Sequence, residues 1–175
     1  MEGATEISVH RVPPGVIFRC ADEKDIPELL RIEDECFGKE KFSQEIVRAF
    51  IVRNDAFTVV AQDDVRSRLV GSATCLVSEG TGEGRIASIA VLRHLREQGI
   101  GSGLLAECEK TLGNYRLAKY VLEVETTNIP AIALYLHRGY EITGLLKEYY
   151  GLGRDAYTME KKLVRIRRKL AVMTE

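Results

Sequence analysis

The sequence predicts an α/β (α+β) fold, a mixed and mostly antiparallel central sheet of about seven strands with helices on both faces. Three observations predict it. The apolar periodicity switches between strand and helix in the order β-α-α-β-β-β-α-β-α-β-β. Residues 85–124 read strand–helix–strand, which implies one parallel crossover inside an otherwise antiparallel sheet. The chain has 175 residues, 45% hydrophobic and 29% charged, which suits a single domain and excludes disorder, collagen-like repeats and coiled coil.

Residues 1–15 read as a loose lead-in ending in Pro13-Pro14-Gly15. Val16-Ile17-Phe18 is a short strand. Asp25 is expected to cap a first helix, with Pro27 in its first turn, Glu28 three residues on and Gly38 at its end. Ser43 is expected to cap a second helix carrying Ile46, Val47, Phe50 and Ile51. Residues 56–61 and 68–77 form a hairpin around Asp63-Asp64, and 79–84 read as a loop. Residues 85–92 are a strand, 99–112 a helix and 120–124 a strand. A short helix over 128–137 is capped by Asn128 and closed by Gly139. Two final strands, 140–146 and 156–163, join through Gly151 and Gly153.

Lys and Arg total 25 and Asp and Glu 26, a formal net charge of −1, which is not that of a uniformly basic nucleic-acid binder. The sum hides a basic run, since six of nine residues from Lys161 to Lys169 are cationic. That run could meet RNA or another acidic surface, or be only a solvated end. The rest carries excess acid, with Glu33, Asp34, Glu35 and Glu40 close together. Cys20, Cys36, Cys75 and Cys108 are scattered without a C-x-x-C pair, so neither a metal site nor a disulfide framework is expected. No apolar run is long enough to cross a membrane, and the first residues lack a signal-peptide pattern; a cytoplasmic protein is expected.

The most informative stretch is Arg96-Glu97-Gln98-Gly99-Ile100-Gly101-Ser102-Gly103, which follows a strand and opens a helix. Glycines let the backbone bend and come close to a ligand, and the unpaired N–H groups of a first helical turn attract an anion such as a pyrophosphate. A ligand-free glycine turn is the alternative for this run alone. The spacing is not that of a dinucleotide fingerprint, and no Gly-Lys-Ser/Thr follows for a nucleotide P-loop.

Arg96-x-x-Gly99-x-Gly101, preceded by Ile89-Ala90-Val91, resembles the acetyl-coenzyme A signature of the GNAT acetyltransferase superfamily. Leu122-Glu123-Val124, Asn128, Ala131 to Tyr135 and Arg138-Gly139-Tyr140 are similar to the family's second half. Tyr149-Tyr150 followed by Asp155 to Met159 resembles the protein N-terminal acetyltransferase branch, which includes the ribosomal-protein alanine acetyltransferases and archaeal N-alpha-acetyltransferases. The resemblance covers about residues 16–163 and implies one acetyltransferase domain, a basic C-terminal tail over 164–175, and strands splayed at the acetyl-CoA site. It implies cosubstrate contacts at Ile89, Ala90 and Val91, at Arg96, Glu97, Gln98, Gly99, Ile100, Gly101 and Ser102, and at Asn128. It implies that Tyr135 protonates the coenzyme A sulfur and that Glu123 is the base. Phe37, Glu40, Tyr149 and Tyr150 would grip the acceptor peptide. Three departures stand out: Glu97 replaces Gly or a basic residue, Glu125 replaces the usual Arg, and Gly38-Lys39-Glu40 replaces a Pro-containing loop.

Alternation places Glu123 and Glu125 on one strand face and Leu122 and Val124 on the other. Acetyl transfer needs a free amine, and an α-amine with a pKa near 7.7–8.0 supplies far more of it at neutral pH than a lysine near 10.4. The leading expectation is therefore an acetyl-CoA-dependent N-alpha-acetyltransferase acting on protein N-termini, a ribosomal protein among the candidates, without a metal. A lysine or small-amine acetyltransferase and a non-catalytic acetyl-CoA-binding module are the alternatives. Expected partners are a protein or peptide N-terminus and a ribosome or RNA surface at the basic tail. No membrane contact is expected, and the state is a monomer or weak homodimer.

Overall fold

The computed structural model describes residues 12–163. Most of the expected lead-in and the whole 164–175 tail lie outside the described residues. The elements follow the expected order: β1 (Val16–Cys20), α1 (Ile26–Phe37), α2 (Gln44–Val52), β2 (Ala56–Asp63), β3 (Arg68–Ser78), β4 (Glu83–Val91), α3 (Ile100–Leu112), β5 (Lys119–Glu125), α4 (Ile129–His137), β6 (Glu141–Leu146) and β7 (Ala156–Lys162). They build one seven-stranded sheet of order β1-β2-β3-β4-β5-β7-β6. Every neighbouring pair is antiparallel except β4 and β5. Among the described residues no helix is long and apolar enough to cross a membrane, and no cluster of side chains could hold a metal ion.

The sheet is buried on both faces, because each strand sends alternate side chains to opposite sides. On one face Val59, Ala73, Cys75, Leu122, Val124 and Met159 pack against Ile100, Leu104, Leu105, Cys108 and Leu112 of α3 and Ile132 and Tyr135 of α4. On the other, Val60, Leu69, Ala90 and Leu92 pack against Leu29 and Ile32 of α1 and Val47 of α2.

Two local expectations are corrected. Asp25 does not cap α1 through its side chain. Asp22 caps the preceding turn, while the Asp25 carboxylate accepts Arg19 Nη1 and Nη2 at 2.7 and 2.8 Å and the Asp22 N–H at 2.9 Å. The strand after the glycine-rich loop starts two residues early, at Glu83, because that end of β4 pairs with both β3 and β5. The strand is also not uniform. Cys75 faces Ile86 and Thr74 faces Ser88, so Ala87 is an extra residue. Such a bulge bends a strand and reverses its alternation beyond that point. Ile86 before it and Ile89 and Val91 after it all pack on the α3 face, while Ala90 and Leu92 turn to the α1 face.

The bulge sits where β4 leaves β5. The parallel pairing runs only over Glu83–Lys119, Gly84–Tyr120 and Arg85–Val121. Farther along, β5 stays paired to β7 as far as Glu125–Ala156, so a gap opens between β4 and β5 at their C-terminal ends. Gly71 on β3 holds the far side of this gap. A Cβ there would stand 2.8 Å from the Ala90 carbonyl oxygen and 3.1 Å from Leu104 Cδ1.

Two outcomes follow from this packing. Gly71→Ala must push β3 from β4 and is expected to cost about 1–3 kcal/mol, read as a lower midpoint in thermal unfolding. The Arg19 guanidinium and its hydrogen bonds hold the Asp25 carboxyl below the usual carboxylate range. A depressed folded pKa contributes stability above the unfolded value and loses it as pH falls through the folded value. Asp25→Asn should therefore cost about 1–2 kcal/mol near neutral pH, and urea titrations should show the gap to the unmodified protein closing in acid.

Candidate active site

The gap between β4 and β5 is bordered by elements that carry several of the expected site residues: the end of β4, the start of α3 and β5. From the end of β4 the chain makes a short turn over Arg93–Leu95 and enters α3 at Gly99, whose φ of +83° lies in the left-handed region that favours glycine. No side chain caps α3. Among the described residues the backbone N–H groups of 97–102 have no acceptor in the protein outside the helix's own ladder, and the helix cannot use those of its first turn. Glu97 has φ +61°, a region where an L side chain pays about 1–2 kcal/mol. The amide of Glu97 remains available, and its side chain is exposed. Gly103, by contrast, serves packing. A Cβ there would stand 2.3 Å from Phe18 Cζ of β1.

Ile89, Ala90 and Val91 lie on the part of β4 that no longer pairs with β5. The Val91 carbonyl is already covered, accepting Arg96 Nε at 3.0 Å and Cys36 Sγ at 3.6 Å. Arg96 thus folds back onto the strand end. Gln98 donates to the His94 carbonyl at 3.3 Å, and Ile100 is buried in the core below. Of the expected turn residues, the backbone of 97–102 is the part left open for an anion.

On the other side of the gap, Glu123 and Glu125 share a face of β5 while Leu122 and Val124 fill the α3 core, as alternation requires. Glu123 is nearly enclosed, its side chain 15% exposed, and one oxygen, Oε1, is ion-paired to Arg85 Nη1. Arg85 is the last β4 residue to pair with β5, and this contact raises its pKa above the usual guanidinium value. Glu123 Oε2 has no protein partner among the described residues. Glu125 is held differently. Arg154, in the β6–β7 connection, reaches its two oxygens at 2.8 and 3.0 Å and keeps the carboxyl below its ordinary range.

Tyr150 spans the site. Its hydroxyl donates to the Glu123 carbonyl at 3.3 Å, and burial pushes its pKa up to about 12. Its ring meets Tyr149 edge-on at 5.0 Å. Tyr149 is half exposed. Tyr135 arrives from α4 on the opposite face, buried and edge-on to Tyr140 at 5.7 Å. Burial raises its phenol well above the usual range, with the Tyr150 phenol the next influence. The Tyr135 hydroxyl has no hydrogen-bond partner among the described residues. Asn128 is a helix cap, its Oδ1 accepting the Ala131 N–H at 3.3 Å.

The residues expected from the first helix divide. Phe37 and Phe42 are half-buried and pack against the α1 core, Phe42 edge-on to Phe50 at 5.3 Å. Buried Glu33 accepts the Phe42 N–H at 2.9 Å and fixes the loop; burial raises its pKa. Glu40 is exposed and ion-paired to Arg154. Sequence reasoning missed two residues, Arg85 and Arg154. The signal for Arg154 was the replacement of Arg by Glu at 125, which left a carboxylate in need of a cation. Arg85 carried none, since pairing across β4 and β5 is a tertiary fact.

The site therefore offers open backbone donors at a helix start, a carboxylate with one free oxygen and a protonated phenol, brought to one gap from three elements. The sequence profile of the acetyltransferase (GNAT) family matches residues 26–140. An N-alpha-acetyltransferase of Saccharolobus solfataricus is 42% identical over 82 residues, 46% of this chain and 49% of that protein. The chain thus spans about half the length of that relative. An uncharacterized N-acetyltransferase of Methanocaldococcus jannaschii is 35% identical over 148 residues, 84% of this chain and 92% of that one. The ribosomal-protein-S18-alanine N-acetyltransferase of Escherichia coli superposes with a TM-score of 0.77 at 22% identity, over 89% of this chain and 98% of that one. The PaiA N-acetyltransferase of Thermoplasma acidophilum, solved in complex with coenzyme A, gives 0.71 at 21% identity over 85% and 99%. These two likenesses show the fold, and the profile with the Methanocaldococcus relative shows the family: the chain belongs to the acetyltransferase (GNAT) family of acyltransferases.

Proposed function

We propose that this protein moves the acetyl group of acetyl-coenzyme A directly onto the α-amine of a polypeptide N-terminus. The observation that carries the reading is that Glu123, with its free Oε2, and Tyr135 both neighbour Tyr150 in a fold that also leaves the amides of 97–102 open. The naming of relatives as N-alpha-acetyltransferases supports the choice of acceptor, and that of one neighbour makes a ribosomal protein a candidate acceptor.

The residues fit the cosubstrate. Unpartnered N–H groups at a helix start favour the charge of a pyrophosphate, and the unpaired edge of β4 leaves main-chain groups for an extended pantetheine arm. When bound, acetyl-coenzyme A supplies an acetyl group activated as a thioester. Glu123 Oε2 accepts the proton of the attacking amine, directly or through one water, while Arg85 fixes the carboxylate through Oε1. An α-amine has a pKa near 7.7–8.0, so about a tenth is free at neutral pH and the base has little to do. Tyr135 holds its proton throughout the neutral range because burial raises its pKa. It is therefore a donor for the leaving sulfur. Tyr149 and Tyr150 wall the acceptor's path.

Incubation with acetyl-coenzyme A and a peptide library, with the modified nitrogen mapped, tests the reading. Label on α-amines is expected; label confined to lysine side chains or small amines would reassign the acceptor. Tyr135→Phe should lower kcat about 100-fold or more while calorimetry shows acetyl-coenzyme A binding unchanged. Glu123→Gln should be deficient near neutral pH, and its deficit should shrink as pH rises through about 8, where the free amine no longer needs a base.

A further inference from the structure

Arg154 joins three segments that are distant in the chain. Its Nε and Nη2 donate to the Glu125 carboxylate at 2.8 and 3.0 Å. Its Nη1 donates to Glu40 Oε1 and, at 3.2 Å, to the Tyr150 carbonyl; Nη2 reaches Glu40 Oε2 at 3.4 Å. These contacts occupy all five donors that a guanidinium has. The guanidinium carbon also lies 5.8 Å from the Tyr150 ring centre. Glu40 stands 114 residues away, in the turn between α1 and α2, and Glu125 ends β5.

We propose that Arg154 is a positioning residue that latches the turn around Glu40 to the β6–β7 connection and thereby sets the width of the acceptor path. The inference rests on the reading above for what enters that path, but the latch itself is a matter of geometry. The two walls have little else in common. The turn over Gly38–Glu40 is held from its own side, by Glu33 on the Phe42 N–H and by Lys41 on Asp34 at 2.5 Å. The β6–β7 connection is likewise held by its own contacts, Lys147 and the Glu148 N–H on Asp155 at 2.6 and 2.9 Å and the Tyr150 N–H on the Arg154 carbonyl at 3.1 Å. Arg154 couples these two independently built segments. The planar fork matters, because two carboxylates and a carbonyl are satisfied together in one plane, which a lysine ammonium cannot do. The pairs are partly exposed, the side chains of Glu40, Arg154 and Glu125 being 52, 38 and 26% accessible. Such an array contributes modestly to stability, enough to order the two walls before the acceptor arrives.

The test compares the unmodified protein with Arg154→Gln, Arg154→Lys and Glu40→Gln by two readouts. In steady-state kinetics with an N-terminal peptide, Arg154→Gln should raise the peptide KM about three- to tenfold, the range open to a partly exposed ion-pair array. The acetyl-coenzyme A KM and kcat should move less than about twofold. Arg154→Lys should behave like Arg154→Gln, because charge without the fork does not restore the latch. An unchanged or lower peptide KM, or full rescue by Lys, would overturn the proposal. In hydrogen–deuterium exchange, which needs no activity, Glu40→Gln should speed exchange over 148–155, and Arg154→Gln should speed it over 38–42 as well. Exchange that changes only in the mutated segment would overturn it equally. If no peptide α-amine is acetylated, the exchange result still decides the latch, so a wrong acceptor and a wrong latch are told apart.

Discussion

Parallel strands β4 and β5 share hydrogen bonds over three residue pairs, Glu83 to Arg85 against Lys119 to Val121, and then separate. Everything at the site depends on that parting. The Ala87 bulge in β4 bends one strand away, while β7 keeps the other straight by pairing with β5 along its full length. A sheet interior ordinarily has no room for a ligand, since its backbone groups are all paired and its faces are covered. Here the pairing stops inside the molecule, and side chains from both faces reach one opening: Glu123 from the α1 side and Tyr135 from the α3–α4 side.

The same opening imposes an electrostatic problem. β5 carries Glu123 and Glu125 into a partly dry environment, and an isolated carboxylate there would be costly. The protein answers with two guanidiniums from opposite directions. Arg85 comes from the last paired position of β4, and Arg154 from the β6–β7 connection. The carboxylate at 125, where the family resemblance would lead one to expect Arg, is thus compensated within the fold, with the cation supplied by the facing segment. Glu40 adds a second carboxylate to Arg154, so the three carboxylates outnumber the two guanidiniums and this cluster keeps a net negative charge. The open amides that follow β4 are a different environment, one that favours an anion.

Much of this architecture was legible in the residues. Strand alternation placed Glu123 and Glu125 together, the helical period of Ile100, Leu104, Leu105, Cys108 and Leu112 marked the buried face of α3, and Ser43 and Asn128 cap as their types dictate. Asp25 misled because a helix-start carboxylate looks the same whether it caps its own helix or pairs with a strand arginine. Gly103 ends the glycine run of the turn, but its missing Cβ makes room for Phe18. Phe37, expected at the acceptor wall, is half-buried and packs against the α1 core.

What the sequence determined by itself was local and periodic: the order of elements, the faces of strands and helices, the helix stops, and the family resemblance in the glycine turn and in 131–135. These follow from backbone sterics and from the spacing of apolar residues, which act over a few positions. The tertiary structure alone decided where β4 leaves β5, which cations meet Glu123 and Glu125, and how the turn at Glu40 joins the hairpin at Arg154. Those outcomes depend on contacts between residues 29 to 114 positions apart. No local pattern encodes such a contact, because its partner is chosen by the packing of the whole sheet.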